Sequence, residues 1–372
     1  MTPMKLKKIL YWCCYADNLN RNKIFINGLK YNGVDLYEYN INSHSLLINI
    51  YAFIKNFKKI LLGHKYDAIL FHSEAFIQFI LAKFFSILSN VPLIHDIYIS
   101  KLQTIYYDRQ LYTRKKIPKL LLKIILYAID LIECIFADLI ILDTNTHIKY
   151  FSKKFKIPIG KFRRIFVGSQ DDVFYPIDTN KKISDKFVVG FIGTYIPLQG
   201  IEYIIKAAKL LEKENEINFH LIGDGQTYIK NRELVKELKV KNIKFINSVP
   251  LNEVPKFISN FDVGLGIFGK TDKTIQVIPN KIFDGIAMKI PMITCDSPAI
   301  RELFTDNENI ILCERANPES LATAILKLKK DRILLKKIAL NGYNLFQKFC
   351  TINAIGKSLF NTLNNFLREQ KK

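Results

Sequence analysis

Two hydrophobic patterns alternate along this chain of 372 residues. Short apolar runs, such as residues 68–72 and 187–192, are typical of strands that are covered on both faces. The stretches between them place apolar residues at the spacing of one helix face. Because strands that alternate with helices form parallel sheets with helices on both sides, the pattern predicts a doubly wound α/β fold.

The pattern divides into two series of elements. The first predicts strands at residues 8–14, 33–39, 68–72, 92–96 and 138–142, and helices at 23–31, 75–89, before 134 and at 145–155. The second predicts strands at residues 187–192, 218–222, 243–246, 263–267, 291–295 and 310–312, and helices at 201–214, 226–238, 253–259, 280–288, 299–303 and from 318 onward. We therefore predict two domains, since single cores stop growing near about 250 residues.

The domain boundary is predicted in a polar segment, residues 176–186, which carries the turn formers and charges of a linker. An N-terminal domain then covers residues 1–180, a C-terminal domain 181–345 and a helical tail 346–372.

Charge and cysteine content narrow the class of protein. There are 55 basic and 34 acidic residues, giving a formal net charge of +21. That excess suits a polyanionic partner, whether nucleic acid, an anionic membrane or a phosphorylated substrate, although an AT-rich genome that overuses lysine produces the same balance. The six cysteines and six histidines lack metal-ligand spacing, so we expect no metal and a reducing cytoplasm.

Several apolar stretches raise the question of a membrane. Residues 76–95 and 120–142 are interrupted by charges or by Pro92, which favours buried or amphipathic helices over membrane spans. Residues 53–65 and 112–127 mix lysine and arginine with large apolar residues, as helices at a membrane interface do, and ordinary surface helices fit the same pattern. Residues 1–8 are basic, but the residues that follow them lack the long apolar run of a signal peptide.

Two glycine motifs suggest nucleotide binding. Residues 264–271, GLGIFGKT, satisfy the P-loop spacing, but the segment after Thr271 is short, β-branched and closed by Pro279, which argues against the helix that a P-loop requires. Gly223 and Gly225 follow a predicted strand, where they indicate either a phosphate loop or a tight turn.

The sequence Pro279, Asn280, Lys281 predicts an anion site at a helix start. Proline fixes the entry to the helix, asparagine can cap it, and lysine adds a cation to an end that is already positive. Asp284 lies one turn further on that face, where a carboxylate can accept ribose hydroxyls. An ordinary capped helix with solvated charges is the alternative.

With these residues in place, the C-terminal half resembles the donor domain of family 4 retaining glycosyltransferases, which have the GT-B fold. The segments VVGFIGTYIPLQGIEYIIKAAKLL, FHLIGDGQ and VIPNKIFDGIAMKIPMITCDSPAIREL carry the resemblance, and the N-terminal half is similar more loosely. The resemblance implies two Rossmann-like domains that face a central cleft. It also implies that the C-terminal helix packs back towards the N-terminal domain.

The resemblance also implies roles for individual residues. Asp284 takes the place of the carboxylate that contacts the donor ribose, and Gln276 that of a glutamate that touches the transferred sugar. Thr194 and Gln199 stand where the family has the arginine and lysine that hold the diphosphate. Lys273 and Lys281, with backbone amides near Gly193 and at Asn280, can substitute for those cations. The predicted donor-binding set is Gly193, Thr194, Gln199, Gly223, Gly225, Lys273, Gln276, Pro279, Asn280, Lys281 and Asp284.

Residues of the N-terminal half complete the predicted site. His95 and Asp96 end a predicted strand, where ligands meet an open α/β sheet, and the family often has a histidine there facing the donor sugar, so both are predicted as catalytic. Asn20 and Arg21 lie in the first loop after a strand and are predicted to bind the acceptor. A structural histidine and a polar loop are the alternatives.

The predicted function is that of a bacterial hexosyltransferase of cell-envelope polysaccharide biosynthesis. It would move a sugar, with retention and without a metal, from a UDP- or GDP-sugar to a polysaccharide, lipopolysaccharide or lipid-linked glycan. We expect a cytoplasmic protein that is peripheral on the anionic inner face of the plasma membrane, without a nucleic-acid partner. A catalytically silent glycan-binding or partner subunit is the alternative, and a P-loop NTPase a more remote one.

Overall fold

The computed structural model describes residues 6–13, 20–40, 48, 51–56, 65–72, 75–111, 117–177 and 186–370. Cys14, residues 57–64 and 112–116 of the two basic apolar segments, and residues 178–185 of the predicted linker lie outside this part of the chain. The described residues form two compact units, one of residues 1–106, 110–166 and 352–372 and one of residues 107–109 and 167–351.

The first unit is a parallel sheet with helices on both faces. Within its described residues six strands are paired in the order β2-β1-β3-β4-β5-β6. The strands are β1 Lys8–Cys13, β2 Asp35–Asn40, β3 Ala68–His72, β4 Leu93–Asp96, β5 Leu139–Leu142 and β6 Phe162–Arg164. The helices are α1 Asn20–Tyr31, α2 Phe76–Ser89, α3 Lys119–Phe136 and α4 Asn145–Phe155. A π-helix, Leu102–Asp108, begins in this unit, and its last two residues belong to the second unit.

The second unit repeats this architecture. Among the residues that the structure describes, its six strands are paired in the order β12-β11-β10-β7-β8-β9. The strands are β7 Phe187–Ile192, β8 Ile217–Ile222, β9 Ile243–Ile246, β10 Val263–Leu265, β11 Met292–Cys295 and β12 Ile311–Cys313. The helices are α5 Ile201–Leu210, α6 Tyr228–Glu237, α7 Val254–Ile258, α8 Asn280–Ala287, α9 Pro318–Lys330 and α10 Arg332–Phe349.

The last helix, α11 Ile352–Glu369, returns to the first unit. Its apolar face, which includes Ile355, Leu359 and Leu363, joins α1 in one core beneath the sheet. The two helices approach so closely that a Cβ atom on Gly28 would lie 2.6 Å from the Cα atom of Gly356. The resemblance predicted this return of the C-terminal helix, and the structure confirms the helix-on-helix contact with the N-terminal fold.

The structure divides the chain earlier than the sequence suggested. The predicted boundary at residue 180 falls beyond the division after Phe166, and the predicted tail starts before α11. Residues 167–177 belong with the second unit because they are bonded to it: the Ser169 side chain binds Asp284, and the Ser169 amide donates to the Cys350 carbonyl at 3.1 Å. A polar composition marks exposed chain, but it does not report which core the neighbouring residues join.

Other differences concern short elements. Strand β6 was not predicted, and it carries only three residues beside β5. The single helical region expected before residue 134 is a π-helix followed by α3, and the helix expected at 299–303 is a 3-10 turn at Ile300–Glu302. Elements this short offer too few periods for a pattern to identify them.

Candidate functional site

The predicted donor residues gather at one edge of the second sheet. Strand order changes direction here, because β8 and β9 lie on one side of β7 while β10 to β12 lie on the other. Ligands of open parallel sheets bind outside the carboxyl ends of the strands at such a switch point. The loops that follow β7, β8 and β10 therefore form the candidate site.

The loops after β7 and β8 are packed against each other through glycine. Gly193 and Gly223 have φ angles of +149° and +134°, which residues with side chains rarely adopt. A Cβ atom on Gly223 would collide with the Gly193 carbonyl oxygen. The Tyr195 amide also donates to the Asp224 carbonyl at 2.8 Å, so the two loops form one backbone surface at the sheet edge.

Lys281 supplies a cation beneath that surface. Its side chain is only 8% exposed, and its ammonium nitrogen donates to the Gln199 side-chain oxygen at 2.6 Å. The same nitrogen lies 3.6 Å from the centre of the Phe191 ring and close enough to Gly193 that a Cβ atom there would be 2.9 Å away. Burial lowers the pKa of Lys281 well below its ordinary value, and Asp284 only partly opposes this. An anion bound beside this nitrogen would favour its charged form, so the position suits an anionic ligand.

Asp284 lies one turn along α8 from Lys281. The Ser169 hydroxyl donates to one of its carboxylate oxygens at 2.5 Å. Burial raises the pKa of Asp284 to about 7, while the Ser169 bond and the Lys281 charge act in the other direction. The carboxylate is therefore poised between its neutral and charged forms near neutral pH, and partners that donate hydrogen bonds favour the charged form.

Other members of the predicted set are placed as follows. Gln276 and Lys273 are buried at a 3-10 turn, Asp272–Ile275, that follows the β10 loop, and Thr194 is exposed after β7. Asn280 was expected to cap α8, but Pro279 occupies the cap position and no side chain caps the helix. Asn280 is the first helical residue. Gly225 follows β8 with φ +144°.

Residues 264–271 do not form a P-loop, as the short segment after Thr271 had predicted. Gly264 lies within β10, and the motif leads into the 3-10 turn at Asp272–Ile275 in place of a sustained helix. Its glycines are explained by packing, because a Cβ atom on Gly269 would lie 2.6 Å from the Leu198 carbonyl oxygen and one on Gly266 would overlap the Thr294 side chain. An NTPase of this type is therefore not supported.

A cavity of about 720 Å3 lies elsewhere, beside β11 and β12. It is lined by residues that include Asp296, Arg301, Glu314 and Arg315. Arg301 makes two bonds to the Asp296 carboxylate, and Arg315 donates to the Thr271 carbonyl. Glu314 accepts from the Asn317 side chain, so these charged groups are engaged with partners inside the fold.

In the first unit, Arg21 and Asp96 form a buried ion pair at the carboxyl ends of the strands. The Arg21 guanidinium makes two parallel contacts of 2.8 Å to the Asp96 carboxylate and also donates to the carbonyls of Ile165 and Phe166. Burial tends to raise the pKa of Asp96, but Arg21 and a bond from His72 outweigh burial and hold the pKa far below its usual value.

This arrangement changes the predicted roles of both residues. The donors of Arg21 are used inside the fold, so the structure does not support its assignment to acceptor binding. Asp96 has no exposed side-chain surface, so it positions its neighbours and is not available to a substrate as a catalytic group in this structure. Asn20 is the first residue of α1 and is half-buried.

His95, the other predicted catalytic residue, points into the first unit. Its ring lies between Phe71 and Phe79, and its Nε2 atom is 3.7 Å from the Glu133 carboxylate. Glu133 in turn accepts from Lys101 at 2.7 Å. Burial raises the pKa of Glu133, but the Lys101 charge and His95 outweigh it and hold the pKa below normal. His95 is thus held in a buried charge network.

Sequence reasoning missed three residues that shape these sites: Ser169, His72 and Glu133. His72 ends β3, and its Nδ1 atom lies 2.8 Å from Asp96, which fixes the orientation of the ring. His72 keeps 7% of its side-chain surface exposed, whereas Asp96 keeps none. The sequence signal for His72 was its place at a strand end, the same signal that singled out His95.

Metal and membrane features are quickly described. The described residues contain no group of three or more His, Cys, Asp or Glu side chains arranged to hold a metal ion. Within the same residues no helix combines the length and apolar character needed to cross a bilayer. Cys13, Cys134, Cys295, Cys313 and Cys350 are buried free thiols.

Comparison with known proteins agrees with this geometry. Residues 177–345 match the family model described as glycosyl transferases group 1. An uncharacterized glycosyltransferase of Methanocaldococcus jannaschii is 26% identical over 166 residues, which are 43% of this chain and 43% of the relative. A poly(ribitol-phosphate) alpha-N-acetylglucosaminyltransferase of Staphylococcus aureus is 22% identical over 49% of this chain and 37% of its own length. The chain thus spans less than half the length of these curated relatives.

The structural comparison covers nearly the whole chain. The crystal structure of HepE from Anabaena, in complex with UDP and glucose, superposes with a TM-score of 0.72 at 14% identity and covers 96% of this chain and 100% of that one. The likeness establishes the fold, two Rossmann-like parallel-sheet domains of the GT-B type. Residues 177–345 thus match the glycosyl transferases group 1 model, and the fold of the chain is similar to that of this solved structure.

Proposed function

We propose that this protein is a glycosyltransferase that moves a hexosyl group from a UDP- or GDP-sugar to a glycan acceptor. The observation that carries the proposal is the position of Lys281 and Asp284 on the first turns of α8, inside a glycosyl transferases group 1 domain. One residue offers a buried cation to a diphosphate, and the other a carboxylate to the ribose hydroxyls. Together they match the two chemically distinct parts of a nucleotide diphosphate.

The proposed reaction proceeds with retention of anomeric configuration and without a metal. The acceptor oxygen bonds to the anomeric carbon as the bond from that carbon to the diphosphate oxygen breaks. The electron pair of the broken bond stays with the diphosphate, which takes the proton of the acceptor hydroxyl. Lys281 stabilises the charge that develops on the leaving group, and that stabilisation is the main contribution of the protein.

The acceptor we propose is a cell-envelope polysaccharide, lipopolysaccharide or lipid-linked glycan. One matched relative is named for transfer to poly(ribitol-phosphate), and another, from Staphylococcus aureus, for capsular polysaccharide biosynthesis. The net charge of +21 suits acceptors that carry phosphate or lie at an anionic surface. We place the reaction at the cytoplasmic face of the membrane.

Helices of the first unit support binding to a membrane surface. On α2, Phe84, Ile87 and Leu88 are exposed, and at the start of α3 a second stripe is exposed that consists of Leu120, Leu121, Ile124 and Ile125. Lys119 and Lys123 lie beside the α3 stripe, next to the Tyr106 ring. Apolar stripes flanked by lysine bind the interface of anionic bilayers. The expected partner is thus a lipid surface and not a nucleic acid.

The enzyme proposal is tested with purified protein and a panel of UDP- and GDP-sugars. Thermal shift selects the nucleotide, and radiolabelled donor then measures hydrolysis and transfer to envelope extracts. Lys281→Gln should greatly reduce the shift, whereas Lys270→Gln, which alters the P-loop lysine, should leave it intact. Binding of a donor without any turnover would favour the alternative of a silent partner subunit, and the opposite ranking of the two variants would contradict the proposed site.

Membrane binding is tested by flotation with vesicles of phosphatidylcholine alone or with added phosphatidylglycerol. The protein should float with the anionic vesicles, and Ile124→Glu combined with Leu120→Glu should reduce that fraction. Equal recovery of the protein with neutral and anionic vesicles would contradict the electrostatic part of the proposal. No flotation with either would contradict the whole of it.

A further inference from the structure

A three-residue segment, Tyr107–Arg109, belongs to the second unit although its neighbours in sequence belong to the first. Its backbone is fixed to the β8 loop, because the Gln226 side chain donates to the Arg109 carbonyl at 2.6 Å. Gln226 immediately follows Gly225, which lies against Thr194 and Tyr195 of the β7 loop. The segment therefore lies beside the backbone surface that the loops after β7 and β8 form at the candidate donor site.

Asp108 fixes the other side of this segment. Its side chain is only 1% exposed. Three groups face its carboxylate without completing a hydrogen bond: the Lys273 ammonium, the Thr271 hydroxyl and the Leu198 amide. Burial raises the pKa of Asp108, against the opposing effect of Lys273. These groups come from the loops after β10 and β7. The segment thus contacts three adjacent loops of the switch point, those after β10, β7 and β8.

Arg109 is left with hydrogen-bonding capacity in this position. Within the described residues its Nε atom is buried and has no hydrogen-bond partner. Arg109 interacts electrostatically with Asp108, but the Asp108 carboxylate also faces Lys273. Buried nitrogen donors are nearly always satisfied in native complexes, so an orphaned one beside a ligand site points to a ligand. The next residue, Gln110, has a φ of +50°, a strained conformation that turns the chain directly after Arg109.

Charge balance at the site gives the chemistry of that ligand. A nucleotide diphosphate carries more negative charge than one ammonium neutralises, and Thr194 and Gln199 of the β7 loop are uncharged. Arginine presents a planar fork of donors that matches two phosphate oxygens at once. We propose that Arg109 binds the diphosphate of the nucleotide donor, as a second cationic group beside Lys281. This assignment rests on the proposed function, because it names a further residue of the same donor site.

The experiment compares Arg109→Gln with a matched control, Arg232→Gln, in the full-length protein. Arg232 lies on α6 of the same unit, where its guanidinium packs on the rings of Tyr228 and Phe245. Isothermal titration measures the affinity for UDP and for GDP, and saturation-transfer NMR measures binding of the matching phosphate-free nucleoside. Arg109→Gln should weaken binding of the preferred diphosphate by about 10- to 100-fold, the loss expected for one charged hydrogen-bonded contact. Binding of the nucleoside and the affinity of Arg232→Gln should not change.

Each remaining outcome is informative. Unchanged diphosphate affinity in Arg109→Gln would overturn the assignment while leaving the proposed function intact. Equal loss of diphosphate and nucleoside binding would also overturn it, since it would show a general effect on the fold. Arg109→Lys keeps the charge and loses the fork, so an intermediate affinity with an unchanged melting temperature would support phosphate contact. If the wild type binds neither UDP nor GDP, both the assignment and the proposed function fail.

Discussion

At the scale of single residues, Arg21 and Asp96 show how a buried pair holds the ends of the first sheet together. We predict that Arg21→Met, which leaves the Asp96 carboxylate buried beside His72 alone, lowers the free energy of unfolding by about 3 to 5 kcal/mol. Urea denaturation measures this loss. The double variant Arg21→Met with Asp96→Asn removes the stranded charge and should recover part of it. A loss below about 1 kcal/mol would show that the pair is dispensable.

The same pair fixes the sign of a pH effect. The pKa of Asp96 is lower in the folded protein than in the unfolded chain. The stability that its charged form contributes is therefore present above the usual aspartate pKa, near 4, and is lost as the pH falls through lower values. Asp96→Asn should flatten the acid side of the stability profile.

A further prediction concerns the number of protons that the protein takes up at Lys281 when a nucleotide binds. Burial holds its pKa low in the free protein, and an anion beside it raises that pKa, so nucleotide binding should be accompanied by proton uptake. Titration calorimetry of UDP or GDP in buffers of different ionisation enthalpy counts the protons. Lys281→Gln should take up fewer protons than the wild type at pH 8. Equal counts in the two proteins would mean that Lys281 does not titrate with the ligand.

The two sites differ in how far sequence reasoning reached. Lys281 and Asp284 are three positions apart on one predicted helix, so the local pattern was enough to propose them as a pair. Arg21 and Asp96 are distant in sequence, and their bonding depends on which strands are neighbours in the sheet. In the sequence, a residue at the end of a strand has the same pattern around it whether its side chain faces a ligand or a buried partner. That ambiguity explains why the sequence assigned Arg21 and Asp96 roles that their burial does not support.

At the scale of elements, the contact of α1 with α11 depends on two small residues. A Cβ atom on Gly356 would overlap the backbone of Gly28, and neither backbone can move without separating the helices. We predict that Gly356→Ala lowers the free energy of unfolding of the first unit by about 1 to 3 kcal/mol, the usual cost of overpacking. Gly160→Ala is the control, because nothing lies within 4 Å of its Cβ position. Chemical denaturation of the two variants, followed by circular dichroism, should rank them in this order.

Element prediction succeeded where several residues repeat a pattern. Strands β7 and β9 were predicted to the residue, because β7 is a clear apolar run and β9 has three apolar residues in four. Strand β6 was missed because three residues, two of them arginines, carry no run at all. Its place is determined by pairing with β5, which only the folded chain provides. The same reason hid the role of Ser169, which follows β6 and binds Asp284.

At the scale of the whole molecule, each unit has hydrophobic cores of its own. One large core lies in the second unit, built on residues such as Phe191 and Phe219, and two cores lie on opposite faces of the first sheet. Chains with separate cores commonly unfold in more than one step. The first unit is assembled from two distant parts of the sequence, and α11 completes it.

Separate cores predict two unfolding transitions in scanning calorimetry that respond to different changes. Nucleotide at about 100 times its dissociation constant should add roughly 2.7 kcal/mol to the second unit only, because the proposed phosphate and ribose contacts belong to it. Gly356→Ala should lower the other transition and leave the nucleotide-sensitive one in place. Lys281→Gln serves as the complementary control, since it should greatly reduce the nucleotide effect without moving the transition of the first unit. A single transition that the ligand and Gly356→Ala shift alike would show instead that the two units unfold as one.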